Sequence, residues 1–276
     1  ATGFLGAFLL ARLLRECTAT VACLVRAKSA SEGCQRVKSN LSKYGLLEEA
    51  VFARRVEVIL GDMAAPLLGL TEREFSALAE RTDLVLHNGA FVHSVYPYSA
   101  LRAANVLGTQ EILRLAVSGK SLAPVHYVST LSVLGNRSGD VLEADPLQSC
   151  HGLHGGYPQS KWVAEKLVQA AGARAIPVRI YRLGRVTGHA NTGKGSTEDF
   201  MCRFLKGCIQ LKGVPDLDWN VDMTPVDFVA ASIVGLALRM PTSSPRSPAA
   251  VHITNARPMH LREVAEWMRD QGYDVP

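Results

Sequence analysis

No two cysteines of the 276-residue chain form a Cys-x-x-Cys pair, and the six present (Cys17, Cys23, Cys34, Cys150, Cys202 and Cys208) fall at irregular spacings. That excludes the usual zinc-site spacing and a disulfide scaffold, so we expect free thiols in a reducing cytoplasmic setting and no bound metal. No apolar stretch reaches the ~20 residues that cross a bilayer. No run of Lys and Arg is interleaved with aromatic residues, and the formal net charge is only +5, which leaves nucleic acid without support as a partner. Internal repeats and low-complexity tracts are also lacking. The first residues, Ala1-Thr2-Gly3-Phe4-Leu5-Gly6, have neither an initiator Met nor the basic flank of a signal peptide, and we expect the chain to be a piece of something longer.

What is present has the composition of a folded globular protein: 47% hydrophobic and 20% charged residues. The length suits one large domain, or a nucleotide domain with a smaller appendage. Short β-branched runs alternate with amphipathic ones, the pattern of an α/β protein with a doubly wound, Rossmann-type parallel sheet. The runs at Thr20 to Val25, Val56 to Leu60, Asp83 to His87, Val125 to Ser129, Val178 to Tyr181 and Val251 to Thr254 predict strands. Apolar residues three and four apart predict helices over Phe4 to Arg15, Thr71 to Arg81, Tyr98 to Val117 and Pro158 to Ala171. From Gly188 to Asn220 the chain is richer in Gly, Asn, Asp and Lys, around a helical patch at Phe200 to Leu211, as in a segment that closes over substrate. Thr242 to Pro248 reads as an exposed loop. The expected division is a dinucleotide-binding part over 1–187 and a mainly substrate-binding part over 188–276, from which 222–239 and 251–254 return to the nucleotide core.

Thr2-Gly3-Phe4-Leu5-Gly6 before an apolar helix is similar to the second half of a dinucleotide-binding turn. There glycine lets the backbone approach a pyrophosphate whose charge the helix N-terminus stabilises. Gly3, Phe4, Leu5 and Gly6 are therefore candidate cofactor residues. After the next strand come Arg26-Ala27-Lys28, where an NAD-preferring site usually carries a carboxylate. Two cations suit the 2′-phosphate of NADP, with Arg36 as a further candidate; the alternative is a pair of solvated loop charges. Asp62 follows the third strand and could accept from the adenine amino group, or serve only as a turn residue. Asn88, Gly89 and Ala90 follow the strand ending at His87, where small residues let the chain pass close to a cofactor.

Tyr157-Pro158-Gln159-Ser160-Lys161 is the most informative motif. Tyr and Lys four apart lie on one helix face, where the ammonium is expected to lower the phenol pKa and let Tyr157 exchange a proton with a substrate oxygen. Upstream, the strand Val125 to Ser129 ends in hydroxyls, and Thr130 could donate to the same oxygen. The alternative for Ser129, Thr130 and Ser132 is strand-end capping.

Taken in order, these motifs, together with Asn105-Val106-x-Gly108-Thr109, resemble the extended short-chain dehydrogenase/reductases. Within that superfamily the stretches Val128 to Val133, Gly156 to Glu165, Tyr181 to Gly188 and Asp222 to Phe228 resemble the thioester reductase (R) domains of nonribosomal peptide and polyketide synthetases and of carboxylic acid reductases. The resemblance implies Thr130, Tyr157 and Lys161 as catalytic residues and NADPH as cofactor. It also implies a phosphopantetheinylated acyl or peptidyl carrier protein as partner in the same polypeptide, and reductive release of its thioester as an aldehyde. His93 stands where the family commonly has Asn. Family members begin with an earlier strand and glycine, so an internal piece, poorly soluble alone, is expected. The competing readings are an NAD(P)-dependent nucleotide-sugar epimerase or dehydratase and a non-catalytic dinucleotide sensor.

Overall fold

The computed structural model describes residues 1–135, 139–147, 149–239 and 250–275. Its strands are β1 (Val21–Val25), β2 (Val56–Leu60), β3 (Val85–His87), β4 (Val125–Thr130), β5 (Val178–Leu183), β6 (Val186–Thr187), β7 (Asn220–Val221), β8 (Thr224–Pro225), β9 (Ala250–Ile253) and β10 (Met259–His260). The α-helices are α1 (Phe4–Glu16), α2 (Ala30–Tyr44), α3 (Glu49–Arg55), α4 (Glu72–Glu80), α5 (Tyr98–Arg102), α6 (Gly108–Ser118), α7 (Gly156–Gly172), α8 (Phe200–Leu211), α9 (Val226–Arg239) and α10 (Leu261–Asp270). The loop expected at Thr242 to Pro248 lies outside the described residues.

The six strands read from the sequence are all present and pair in parallel, as buried β-branched runs joined by helices should. They form two ladders rather than one continuous sheet: β1 with β2, and β3-β4-β5-β9 in that order. Side-chain alternation sends Val128 and Tyr181 to one face of the larger ladder and Tyr127 and Ile180 to the other. On the first face, Val128, Tyr181 and Leu183 join Val25 of β1, Ala7 to Leu10 of α1 and Val226 to Val234 of α9 in one apolar cluster, which holds the two ladders together. On the second face Tyr127 and Ile180 pack on Ala164 and Val168 of α7. A cluster of α4 and α6 residues, Phe75, Ala79, Ile112 and Leu115, packs around Val85 and Val125. Helices thus cover both faces.

A separate small core binds α8 to α10, from Met201, Cys208, Val221, Leu261, Val264 and Met268, with β7 and β10 antiparallel at its margin. Among the described residues no helix is long and apolar enough to cross a membrane.

The helix expected over Tyr98 to Val117 is one rod in name only: Ala103–Leu107 between α5 and α6 is a π-helical turn. Two contacts explain it. The Asn105 side chain is drawn out of register toward Phe91 and Ser160. Gly108 presses so close to Met63 that an added Cβ would meet its carbonyl oxygen at 2.4 Å. Such bulges inside α-helices tend to accompany functional sites.

Candidate active site

α7 starts where glycine is required. Gly155 takes φ +87°, and a Cβ on Gly156 would lie 2.4 Å from the backbone of Tyr96, Pro97 and Tyr98. That contact seats the first turn of α7 against the loop after β3. Pro158 is tolerated there because its missing N–H has no partner in the first turn. A methyl at Gly156 cannot be absorbed by a flexible side chain, because every close atom is backbone. Gly156→Ala should therefore lose about 1–3 kcal/mol of stability in a denaturant titration, the usual cost of overpacking; an unchanged midpoint would contradict the packing just described.

Tyr157, Lys161 and Glu165 follow at four-residue intervals along one face of α7. Lys161 is buried, and its ammonium donates to the Val128 carbonyl at 2.7 Å and lies 4.1 Å above the Tyr127 ring. Burial brings its pKa down to about 7, opposed by the Glu165 carboxylate. Tyr157 as a whole is only half-buried, yet its surroundings desolvate the phenol and push its pKa up to about 12. This corrects the expected lowering: the Lys161 ammonium is engaged at Val128, and desolvation decides the phenol. At the end of β4, Thr130 Oγ1 donates to Ser132 Oγ and accepts from its N–H, both at 3.2 Å, so the hydroxyl caps the 3-10 turn Leu131–Leu134. Its neighbour Ser129 points the opposite way, into the interior, and donates to Glu165 at 2.5 Å. The alternation along β4 therefore separates the two hydroxyls and leaves only Thr130 at the partly open strand end.

The candidate cofactor residues gather at a second place. Gly3 caps α1, and Asn40 of α2 donates to the carbonyls of Ala1 (2.7 Å) and Gly3 (2.9 Å), fixing the turn. The amides of Phe4, Leu5 and Gly6 belong to the first helical turn, which has no internal acceptor for them. The Phe4 ring itself packs on Phe8 and Tyr44, so only its backbone can serve a ligand. Arg36 donates to the Arg26 carbonyl, and the exposed Arg26 guanidinium stands 3.8 Å from Asp62. Asp62 also accepts from Ala64 N–H at 2.9 Å, so it is a turn residue as well. Lys28 is exposed, its backbone N–H bonded to Glu32. A cleft of about 720 Å³ runs from Thr2 past Ser29, Glu32 and Arg36 to Lys43. None of its walls comes from β4 or α7, so it belongs to the nucleotide end and not to Tyr157. Asn88 is half-buried, while Gly89 and Ala90 are exposed between the two places; Gly89 lies against Met63.

Several residues escaped the sequence reading. Asn105 Oδ1 accepts from Phe91 N–H (2.6 Å), and its Nδ2 donates to the Phe91 carbonyl (3.0 Å) and to Ser160 Oγ (2.9 Å), which in turn donates to the Tyr157 carbonyl. It ties the loop after β3 to the turn carrying Tyr157. Glu165 and Arg182 form a fully buried ion pair behind Lys161. The spacing of Glu165 from Lys161 was a usable signal; for Arg182 nothing local pointed to it.

The Male sterility protein family model (NAD_binding_4) matches residues 1–233. The crystal structure of the terminal R domain from the myxalamid PKS-NRPS biosynthetic pathway superposes with a TM-score of 0.95 at 48% identity, covering 100% of this chain and 69% of that one. The chain belongs to the Male sterility protein family, among the R domains. The R domain is 47% identical over 242 residues to a linear gramicidin synthase of Brevibacillus parabrevis, covering 86% of this chain and 5% of that protein. It is 40% identical over 282 residues to glycine betaine reductase of Emericella nidulans, covering 99% and 22%. It thus spans about a fifth or less of the length of these two relatives. The family binds a nicotinamide dinucleotide, and the nucleotide end described above carries the glycine turn and cations that such a cofactor needs.

Proposed function

We propose that this R domain reduces an acyl or peptidyl thioester, carried on the phosphopantetheine arm of a carrier protein in the same polypeptide, to an aldehyde with NADPH. The observation that carries the reading is the placement of Tyr157 and Lys161 on one face of α7 against the end of β4, where Thr130 lies. NADPH rather than NADH is supported by the cleft beside Thr2, whose wall includes the Arg36 side chain, and by the neighbouring Arg26 and Lys28. The first-turn amides of Phe4, Leu5 and Gly6 would take the pyrophosphate, and Asn88, Gly89 and Ala90 would let the dinucleotide pass toward α7. Residues 1–187 with 222–239 and 251–254 would bind the dinucleotide; the rest of 188–276, with its own core, would bind substrate.

The bound dinucleotide supplies the hydride. The chain's own contribution is to the oxygen that becomes negative. Tyr157, protonated up to about pH 12 in this environment, donates to that oxygen and gives it a proton. Thr130 Oγ1 is the second donor, released from Ser132 when the oxygen arrives. Lys161 holds the end of β4 through Val128 and supplies positive charge beside the phenol.

The test is a pantetheine thioester incubated with the chain and either nicotinamide, with aldehyde trapped by a hydrazine. Aldehyde should form with NADPH and much less with NADH; equal rates would remove the NADP assignment, and no aldehyde would remove the function. Arg26→Ala with Arg36→Ala should raise KM for NADPH ten-fold or more and leave NADH nearly unaffected, since each hydrogen bond to a charged group contributes about 1.5–3 kcal/mol.

A further inference from the structure

Lys161 and Glu165 lie one turn apart on α7, both buried, and their side chains end on consecutive residues of β4: the ammonium on the Val128 carbonyl at 2.7 Å, the carboxylate on Ser129 Oγ at 2.5 Å. The other carboxylate oxygen accepts from Arg182 Nε at 3.0 Å and Nη2 at 2.8 Å, and from Gln169 at 3.2 Å. Arg182 continues to His252 Nε2 at 3.2 Å. Around Lys161 stand His87 from β3, Tyr127 from β4, Tyr157 and Glu165 from α7 and, beyond Glu165, Arg182 from β5 and His252 from β9. From the π turn and α6 come only the neutral Asn105 and Thr109, the latter bonded to His87. Burial holds His87 neutral, with a pKa down at about 3, and lowers that of His252. Near neutrality the charged members are thus Lys161, Arg182 and Glu165, and the single carboxylate is what two buried cations share.

We propose that Glu165 is a positioning residue for the reduction: clasped by Arg182 and Ser129, it keeps Lys161 in its ammonium form at the Val128 carbonyl, beside Tyr157. The inference rests on the proposed roles of Tyr157 and Lys161. A lysine enclosed by apolar side chains and aromatic rings sheds its proton unless a carboxylate faces it. Arg182 in turn fixes where that carboxylate can sit, because its planar fork takes one oxygen and leaves the other for Ser129.

The full chain labelled with ¹⁵N-lysine reports this directly, with the Lys161 Nζ signal identified by its loss in Lys161→Met and followed against pH. Glu165→Gln should lower the pH at which that signal titrates by about one unit or more, the size of a close opposite charge. The alkaline limb of kcat/KM for thioester reduction should move down with it. Because Glu165→Gln leaves Arg182 unpaired and can fail to fold, Glu165→Asp is the second variant: it keeps the charge, and its titration should fall between the other two. A variant that melts earlier but titrates like the wild type would overturn the proposal, since a purely structural pair predicts that result. Should the Nζ titration shift while the wild type reduces no thioester, the proposed function falls and the hold of Glu165 on Lys161 stands.

Discussion

Tyr157→Phe is expected to slow thioester reduction by a factor between about 10² and 10⁴ while leaving the affinity for NADPH nearly unchanged. The lower bound is what loss of a positioned general acid usually costs, and the upper bound is reached when no water can replace it. Two features favour a large loss. The phenol is desolvated enough to carry a pKa of about 12, so it meets the substrate with its proton in place at every physiological pH. Reduction needs such a form, because the oxygen gains negative charge as hydride arrives and a phenolate would repel it. The neighbours of Tyr157 are also fixed by the Asn105 bridge and by the backbone contact at Gly156, so a replacement hydroxyl cannot easily move in. Phenylalanine keeps the ring and removes only the donor. Single-turnover rates and a fluorescence titration of NADPH separate the two effects; a variant that turns over like the parent would take the proton donor away from Tyr157 altogether.

How much of this was legible beforehand depended on whether the signal was local. The β-branched runs at Val56 to Leu60 and Val125 to Thr130 declared themselves because parallel strands buried on both faces need nothing but apolar residues. Tyr157 and Lys161 were legible because one helical period relates them. The sequence reading assigned no element to α2, whose buried stripe is only Gly33, Val37, Leu41 and Tyr44 among polar residues, although Ser29 caps it by accepting from Glu32 N–H. The interruption between β1 and β3, the π turn at Asn105 and the pairing of Glu165 with Arg182 depend on contacts between distant segments, which no window of the sequence contains. The ionisation of Tyr157 failed for the same reason: its spacing from Lys161 was visible, but the carbonyl that engages the ammonium and the walls that desolvate the phenol were not.

Arg182→Met should be the most destabilising single change, by about 3–5 kcal/mol, because it strands a buried carboxylate. Arg182 is 1% and Glu165 0% exposed, so no water reaches the charge left behind. The loss exceeds what the ion pair contributes, since forming the pair also cost the desolvation of both groups. The pair and its removal therefore should not behave additively. Adding Glu165→Leu to Arg182→Met removes the stranded charge, and the double variant should recover a large part of the lost stability, with a coupling energy at the upper end of the 0.5–3 kcal/mol seen for interacting neighbours. Urea titrations of the four chains measure the cycle. The recovery should be in stability alone: the double variant lacks the carboxylate that faces Lys161, so it should fold and still reduce thioesters slowly. If instead stability and turnover return together, the ion pair serves only the packing between α7 and β5.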